Sequence, residues 1–393
     1  MKQFIIIATL ASAVLSASGQ NSIDEVLRSI EANNKELQAN GQLTVSKKLE
    51  AKLDNNLPDP SVSYVHQYGN REGMGIQGEL VASQSFDFPS VYVQKNKLAK
   101  SKAASYDRQG AEFRQQILLQ AKELCLDLVL LNQQKALLDQ RRQNAEQLSE
   151  LYATRLQSGD ANILETNKIN LELLNAKTEA RMNEATRIAK LQELATLNGG
   201  IAIEFTDTAY TPVKELLSFE ELRSEAVTSN PQLLTLKSEQ IAAQRQLSVN
   251  KSKGLPGFEL GYRLNTATGG ERFNGFLVGV TIPLFSNRNN VRQAKAQSLY
   301  TDLQLESTTS TVESELRQLY NQSLALRTSM DEYNAVLKSQ NNLALLNKAI
   351  QTGQISMIEY FVDVTTLYQS MQNYMQLQNE YQKVMAQLYK YKL

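Results

Sequence analysis

The chain has 393 residues, with 41 basic and 41 acidic side chains and no formal net charge. That balance, and the absence of a basic run with interleaved aromatic residues, argues against a nucleic-acid partner. No Trp, only 7 Pro and long stretches rich in Gln, Leu, Ala and Lys are typical of long helices. A single cysteine, Cys125, and a single histidine, His66, provide neither an internal disulfide nor a recognisable metal or cofactor site. We expect Cys125 to be a small buried apolar side chain.

The N-terminus predicts an exported protein. Residues 1–19 contain a lysine, then an apolar run from Phe4 to Leu15, then small residues, which is the pattern of a signal peptide cleaved after Gly19. The apolar run is too short to span a bilayer comfortably, and no later stretch reaches the length of a transmembrane helix. No cysteine follows the run, so we expect a cleaved, unlipidated N-terminus.

Residues 20–198 are predicted to form the first of two tandem repeats. Asn34 matches Asn230, Leu57 matches Leu255, and Pro89 matches Pro283. The predicted elements of the first repeat are, in order, a short amphipathic helix at about 23–53, a β-hairpin at about 60–88, a very long helix at about 91–157, a tip near 158–163 and a returning helix at about 163–197.

Residues 199–218 are predicted to be a connector, irregular apart from one short strand within 198–213. Residues 219–393 then predict the second repeat. Its elements are a helix at about 219–251, a β-hairpin at about 257–285, a long helix at about 289–351, a tip near 352–356 and a returning helix at about 356–389.

The two repeats have the same internal spacing. Pro89 lies 70 residues before Gly159, and Pro283 lies 70 residues before Gly353. A helical segment of about 65 residues would be roughly 100 Å long at 1.5 Å per residue. The spacing therefore predicts two rods that end at the same level, each with a Gly at its tip.

Apolar and polar residues alternate in the four predicted strands. The apolar set is expected on one face, and its members are Tyr64, Leu80, Phe86, Phe258, Tyr262, Phe276 and Val278. Runs of about ten residues suit tilted transmembrane strands. Glu79, Asp87, Glu259 and Arg263 on the other face predict a wet lumen rather than a packed interior.

Four such strands cannot close a barrel. In lipid every backbone N–H and C=O must be paired, so several copies would have to pool their strands, and three copies would supply twelve. The sequence leaves two soluble alternatives open at this point. One is a plain antiparallel coiled coil, and the other is a helical bundle capped by a pair of hairpins.

Several stretches resemble the TolC-like outer-membrane efflux protein family. They are NPQLLTL at 230–236, LPGFELGY at 255–262, GFLVGVTIPLF at 275–285, LYATRLQSGDANILE at 151–165 and LNKAIQTGQISMIEY at 346–360. The resemblance implies a mainly α fold with a small antiparallel β part, assembled as a homotrimer. A 12-stranded β-barrel in the outer membrane would be continued by a 12-helix α-barrel in the periplasm.

The resemblance also implies a function. Members are passive exit ducts of tripartite efflux pumps or type I secretion systems, and they are not enzymes. Their partners are outer-membrane lipid, a periplasmic adaptor protein that opens the duct and an inner-membrane transporter that drives it.

Site residues follow from the same resemblance. Contacts to the adaptor are expected at the tips, at Gly159, Leu164, Glu165, Gly353 and Ile358. A pore constriction is expected at Glu359 and Asp363, although the acidic position that the family places nine residues after the second tip glycine is Val362 here. Pro89 and Pro283 are expected at the strand-to-helix turns.

The competing interpretation is an exported coiled-coil or adaptor-like periplasmic protein without a membrane barrel. Adaptors also contain helical hairpins, but the chain has no segment that resembles their flanking lipoyl-like halves. A general diffusion porin is disfavoured because four strands per chain are too few and the helices would be unexplained.

Overall fold

The computed structural model describes residues 22–212, 216–285, 287–339 and 342–393. The predicted signal peptide, residues 1–19, lies outside the described residues. Its cleavage remains a prediction.

Up to residue 198, the described part of the chain contains four helices and two strands. Their bounds are α1 Ile23–Asn33, α2 Lys35–Leu53, β1 Ser61–Tyr68, β2 Ile76–Phe86, α3 Pro89–Ser158 and α4 Ile163–Leu197. The second half has the same order of elements as far as its long helix. Its bounds are α5 Phe219–Ser229, α6 Pro231–Ser252, β3 Gly257–Ala267, β4 Arg272–Thr281, α7 Arg288–Ser339, α8 Asn342–Gln351 and α9 Met357–Leu388, followed by a short 3-10 turn, Lys390–Lys392.

The predicted helices at 23–53 and 219–251 are each divided by an asparagine, so the prediction of one helix at each place is wrong. The side chain of Asn34 accepts a hydrogen bond from the backbone N–H of Leu37 at 2.8 Å and caps α2. The side chain of Asn230 caps α6, whose first residue is Pro231. Both asparagines therefore start a new helix, because the side chain satisfies N–H groups that have no partner inside the helix.

The connector has no strand within residues 198–212, so the predicted short strand is wrong. Its backbone is bonded instead to the side chain of Asn132 on α3, which donates to the carbonyls of Phe205 at 3.3 Å and Asp207 at 2.9 Å. Phe205 is almost fully buried. An irregular segment is thus fixed by one buried amide and one aromatic anchor, and ladder hydrogen bonds are not needed.

The four strands form one antiparallel sheet in the order β1-β2-β3-β4. One row across the sheet joins Val62, Ala82, Tyr262 and Phe276, so these side chains share a face. All seven residues of the predicted apolar set are even-numbered, like these four, and therefore lie on the same face. In the described residues, β1 and β4 have no partner strand on their outer edges.

The chain divides into two compact units. The first comprises the described residues of Met1–Ala32, Ala121–Pro212 and Ala335–Asn379, and the second comprises those of Asn33–Gln120, Val213–Asn334 and Glu380–Leu393. The first unit contains both tips and a buried apolar cluster, and the second contains the whole sheet. Cys125 is fully buried in the first unit, where burial raises the pKa of its thiol to about 12, as expected for an inert side chain. Within the described ranges, none of the helices combines the length and the apolar character needed to cross a membrane.

Candidate functional site

The first tip, residues 155–165, turns through a glycine. Gly159 has a φ of +81°, in the left-handed region that a residue with a side chain rarely adopts. The N–H of Asp160 donates to the carbonyl of Arg155 at 2.8 Å, and the N–H of Gly159 donates to that of Leu156 at 3.3 Å. This pair of hydrogen bonds defines a Schellman motif, which ends α3.

The second tip, residues 349–359, has the same backbone bonds. Gly353 has a φ of +73°. The N–H of Gln354 donates to the carbonyl of Ala349 at 2.8 Å, and the N–H of Gly353 donates to that of Ile350 at 3.2 Å. The matching glycines of the two repeats therefore occupy the same position in two equivalent turns.

The glutamate six residues after each tip glycine belongs to a capping box. In the first tip, the N–H of Glu165 donates to Oδ1 of Asn162 at 2.9 Å, and the N–H of Asn162 donates to Oε2 of Glu165 at 3.1 Å. In the second tip, the N–H of Glu359 donates to Oγ of Ser356 at 3.3 Å, and the N–H of Ser356 donates to Oε2 of Glu359 at 2.8 Å. Each glutamate thus satisfies a backbone donor at the start of a returning helix.

The two glutamates were not predicted to form capping boxes. The signal was present, because NILE at 162–165 and SMIE at 356–359 both match the capping-box pattern of a small polar residue followed three positions later by Glu. The hydrogen bonds from the backbone and side chain of Ser356 lower the pKa of the exposed Glu359 carboxyl. Asp363 is also exposed and lies one turn further along α9, on the same side as Glu359. Their position at a pore constriction remains a prediction.

Each tip exposes an apolar side chain at the second residue of its returning helix. Leu164 is 69% exposed and Ile358 is 63% exposed. A β- or γ-branched side chain held in this way on a capped helix end is preorganised for a partner surface. The role of these residues in adaptor contact also remains a prediction.

The two tips are joined to each other and to the cluster below them. Nη2 of Arg155 donates to the carbonyl of Gln351 at 3.0 Å, which connects the tips directly. Below them, the hydroxyl of Tyr360 donates to Oδ1 of Asn347 at 2.7 Å, and Tyr360 itself is buried. This burial raises the pKa of the Tyr360 hydroxyl well above its ordinary value.

The second candidate surface is the apolar face of the sheet. Phe276, Val278 and Tyr64 are 92%, 74% and 62% exposed. Leu80, Phe258 and Tyr262 are also exposed, whereas Phe86 is half-buried. An uncovered apolar face of this extent indicates an interaction surface.

The opposite face of the sheet is mostly polar, although it also contains Val65, Val81, Phe273 and Leu277. It contains an ion pair between Nε of Arg263 and Oε1 of Glu79 at 2.6 Å.

Pro89 is the first residue of α3. At this position a backbone N–H would have no hydrogen-bond partner within the helix, so proline is well tolerated. Pro283 lies between the end of β4 and the start of α7. Within the described residues, no group of three His, Cys, Asp or Glu side chains has the arrangement of a metal site.

Residues 222–391 match the model of the family described as outer membrane efflux protein. A membrane protein from Pseudomonas aeruginosa has the same fold, with a TM-score of 0.77 and 16% identity over 94% of this chain and 93% of that one. The CmeC outer membrane channel of Campylobacter jejuni has a TM-score of 0.77 and 15% identity over 94% and 85% of the two chains. The outer membrane protein VceC of Vibrio cholerae has a TM-score of 0.77 and 13% identity over 94% and 95%.

No curated protein sequence matches the chain. The solved structures, all of low sequence identity, confirm the mainly helical fold with a small antiparallel sheet. The family model and these structures together confirm the resemblance found in the sequence. Residues 222–391 thus resemble the outer membrane efflux proteins, and the described residues have the fold of the outer membrane channels compared above.

Proposed function

We propose that the chain forms the passive outer-membrane exit duct of a tripartite efflux pump or a type I secretion system. Three copies would assemble into one channel. A periplasmic adaptor protein would open the channel at the tips, and an inner-membrane transporter would select and drive the cargo. The sheet would lie in the outer membrane and the helices in the periplasm, after export by a cleaved signal peptide and without lipidation.

The observation that most strongly supports this proposal is a four-stranded sheet with two unpaired edges and an exposed apolar face. In lipid an unpaired backbone edge costs several kcal/mol per group, so the sheet has to close. Neighbouring strands alternate in direction, so β4 and β1 run opposite ways. The β4 edge of one copy can therefore pair antiparallel with the β1 edge of the next copy.

Head-to-tail pairing of this kind produces a ring when the rotation closes. Three copies of a four-stranded sheet give twelve strands, within the size range of closed membrane barrels. The apolar face would then contact lipid. The face with the Arg263–Glu79 ion pair would line a water-filled interior.

The tips support the second half of the proposal. Both present an exposed branched apolar side chain, Leu164 or Ile358, five residues after the tip glycine. A Cβ added at either glycine would meet no atom within 4 Å. A partner helix can approach such a glycine closely. We assign adaptor contact to these residues together with Glu165.

A negative constriction is the further part of the proposal. In a trimer, Glu359 and Asp363 would supply six carboxylates near the axis, a charge that favours cations. Glu359 is exposed, and hydrogen bonds from Ser356 lower the pKa of its carboxyl, so this local environment favours the charged form.

The experiment that tests the trimeric duct uses disulfides between edge strands. Cys125 is the only native cysteine and is buried, so disulfides are expected only between the introduced cysteines. Val62→Cys on β1 is combined in turn with a cysteine at each position from 274 to 280 on β4. We expect a covalent ladder up to trimer in membranes, with the strongest bonds at even positions, because these share the face of Val62.

The matched control pairs Val62→Cys with Leu260→Cys, which lies on the inner strand β3 and should not link two copies. Purified wild-type protein should also conduct ions in planar bilayers. In the same recordings, Glu359→Gln combined with Asp363→Asn should reduce the preference for cations if these residues form the constriction. A stable monomer in detergent, without conductance and with water-exposed hairpins in cells, would instead favour the coiled-coil alternative.

A further inference from the structure

Both long helices begin with a run of basic charge. Residues 89–106 contain four lysines and no acidic residue, and residues 282–301 contain two arginines, one lysine and no acidic residue. The whole chain is neutral, so this bias is local. The basic runs follow the ends of β2 and β4. These ends lie at the same edge of the sheet, since Phe86, Phe258 and Val280 form one row across it.

The charges on α7 form a line on one side of the helix. Arg288, Arg292 and Lys295 are spaced by four and then three residues, so they lie above one another, and all three are exposed. The buried side of the same helix contains Ala294 and Thr301. Among the described residues, none of the three cations has an acidic partner within ion-pair distance.

Apolar side chains immediately precede this line. Ile282, Leu284 and Phe285 are 62%, 73% and 89% exposed. On α3, the exposed Val93 is followed one and two turns later by the exposed Lys97 and Lys100. The order from sheet to helix is therefore apolar strand face, exposed apolar turn, then cations, which is the order of polarity from a bilayer core to its headgroups.

We propose that this basic collar, defined as Arg288, Arg292 and Lys295 on α7 with Lys97 and Lys100 on α3, binds anionic phospholipid headgroups of the periplasmic leaflet. The inference rests on the proposed function, since it needs the sheet to lie in the membrane. It adds the class of lipid and the residues that select it.

Two features favour lipid over a fixed protein partner. The positions of the cations differ between the repeats: Lys97 corresponds to Val291 when Pro89 is aligned with Pro283. A diffuse anionic surface attracts any cation near it, whereas a specific ion pair would need a particular position. Secondly, lipid would cover the exposed apolar side chains of Leu284 and Phe285, whereas a water-soluble partner would leave them in contact with water.

The test compares phosphatidylglycerol with phosphatidylcholine. Full-length protein in mixed micelles of the two lipids is analysed by native mass spectrometry, and the ratio of retained lipids is measured. We expect the wild-type trimer to retain phosphatidylglycerol at least about fivefold over phosphatidylcholine. Arg288→Gln/Arg292→Gln/Lys295→Gln should bring the ratio close to one.

The matched control removes three exposed lysines from the other compact unit, as Lys168→Gln/Lys338→Gln/Lys348→Gln, and should keep the wild-type ratio. An unchanged ratio in the α7 variant would overturn the inference. So would dissociation of that variant into monomers in phosphatidylcholine alone, because a second copy would then cover the α7 cations.

Failure of the inference and failure of the proposed function look different. A wild-type trimer that conducts ions but shows no lipid preference would refute the basic collar and leave the duct standing. A protein that neither forms trimers nor conducts would refute the duct and, with it, the collar.

Discussion

The two tips have the same backbone hydrogen bonds but different anchors. Each ends a helix in a Schellman motif at a glycine and begins the next helix with a capping box. The first residue of the returning helix is Ile163 in the first tip, where it is 56% exposed. In the second tip it is Met357, which is 4% exposed.

The anchor of Met357 is the apolar cluster of the first compact unit. Its neighbours in that cluster include Ile350 and Tyr360 from the second tip and Ile169 from α4. At the matching position of the first tip, Ile163 is exposed and is not part of the cluster, although Ala161 of that tip packs against it. Local sequence therefore determines the shape of both turns, whereas the first residue of the returning helix is buried in only one of them.

The largest expected effect separates the two anchors. Met357→Ala should lower the free energy of local opening at the second tip by about 2–5 kcal/mol, because it leaves a cavity in a packed cluster. Ile163→Ala should change the opening of the first tip by no more than about 0.5 kcal/mol, since the side chain is largely exposed. Hydrogen exchange of backbone amides in the two tips, followed by mass spectrometry, measures both values.

Equal effects of these two alanines would contradict the comparison. They would indicate that Ile163 is also buried in the assembled protein. Met357→Leu serves as the conservative control, because it nearly preserves apolar volume and should cost less than about 1.5 kcal/mol.

The second prediction concerns what the tips share. Gly159→Ala and Gly353→Ala should each cost about 1–2 kcal/mol, because both glycines have a positive φ that an L-residue adopts with strain. In neither case would the new Cβ meet another atom within 4 Å, so the two costs should be equal. The same exchange experiment compares them.

Gly41 in α2 is the control for this pair. A Cβ added at Gly41 would also meet no atom within 4 Å, but the backbone there is helical and its φ is negative. Gly41→Ala should therefore stabilise its helix, by about 0.5–1 kcal/mol. A cost at Gly353 but none at Gly159 would show that the two turns are not equivalent.

The sequence was sufficient for the elements with strong periodicity. The long helix predicted at about 91–157 is Pro89–Ser158, and the returning helix predicted at about 163–197 is Ile163–Leu197. The alternation in the strands also placed Leu80, Tyr262 and Phe276 on one face, as the register requires. Long periodic segments are predictable because every turn or pair of residues repeats the same burial pattern.

Features decided by one side chain were missed. The helix break at Asn230 precedes Pro231, and a residue before proline is disfavoured in a helix, so this break was predictable. The break at Asn34 depends on a single buried amide, which composition does not reveal. The second long helix, predicted at about 289–351, is helical as α7 up to Ser339 and as α8 from Asn342, and residues 340–341 lie outside the described residues. The sequence also does not show which returning helix begins with a buried residue, because Ile163 and Met357 are both apolar.

The smallest expected effect concerns the capping box of the second tip. Hydrogen bonds from the backbone N–H and then the hydroxyl of Ser356 lower the pKa of Glu359 below its ordinary value of 4.5. A carboxyl whose pKa is lower in the folded state stabilises that state at every pH above its unfolded pKa. The contribution is lost as the pH falls below 4.5 and through the folded pKa.

Glu359→Gln separates the charge from the cap. Glutamine still accepts the hydrogen bond from Ser356 but does not titrate, so it is the reference at each pH. We expect the exchange rate of the second tip, taken as a ratio of wild type to Glu359→Gln, to be constant from about pH 7 to 5 and to rise towards about pH 3. A ratio that stays constant over this whole range would mean that the ionised carboxylate adds nothing to the cap, and the charge of Glu359 would then be available for the pore alone.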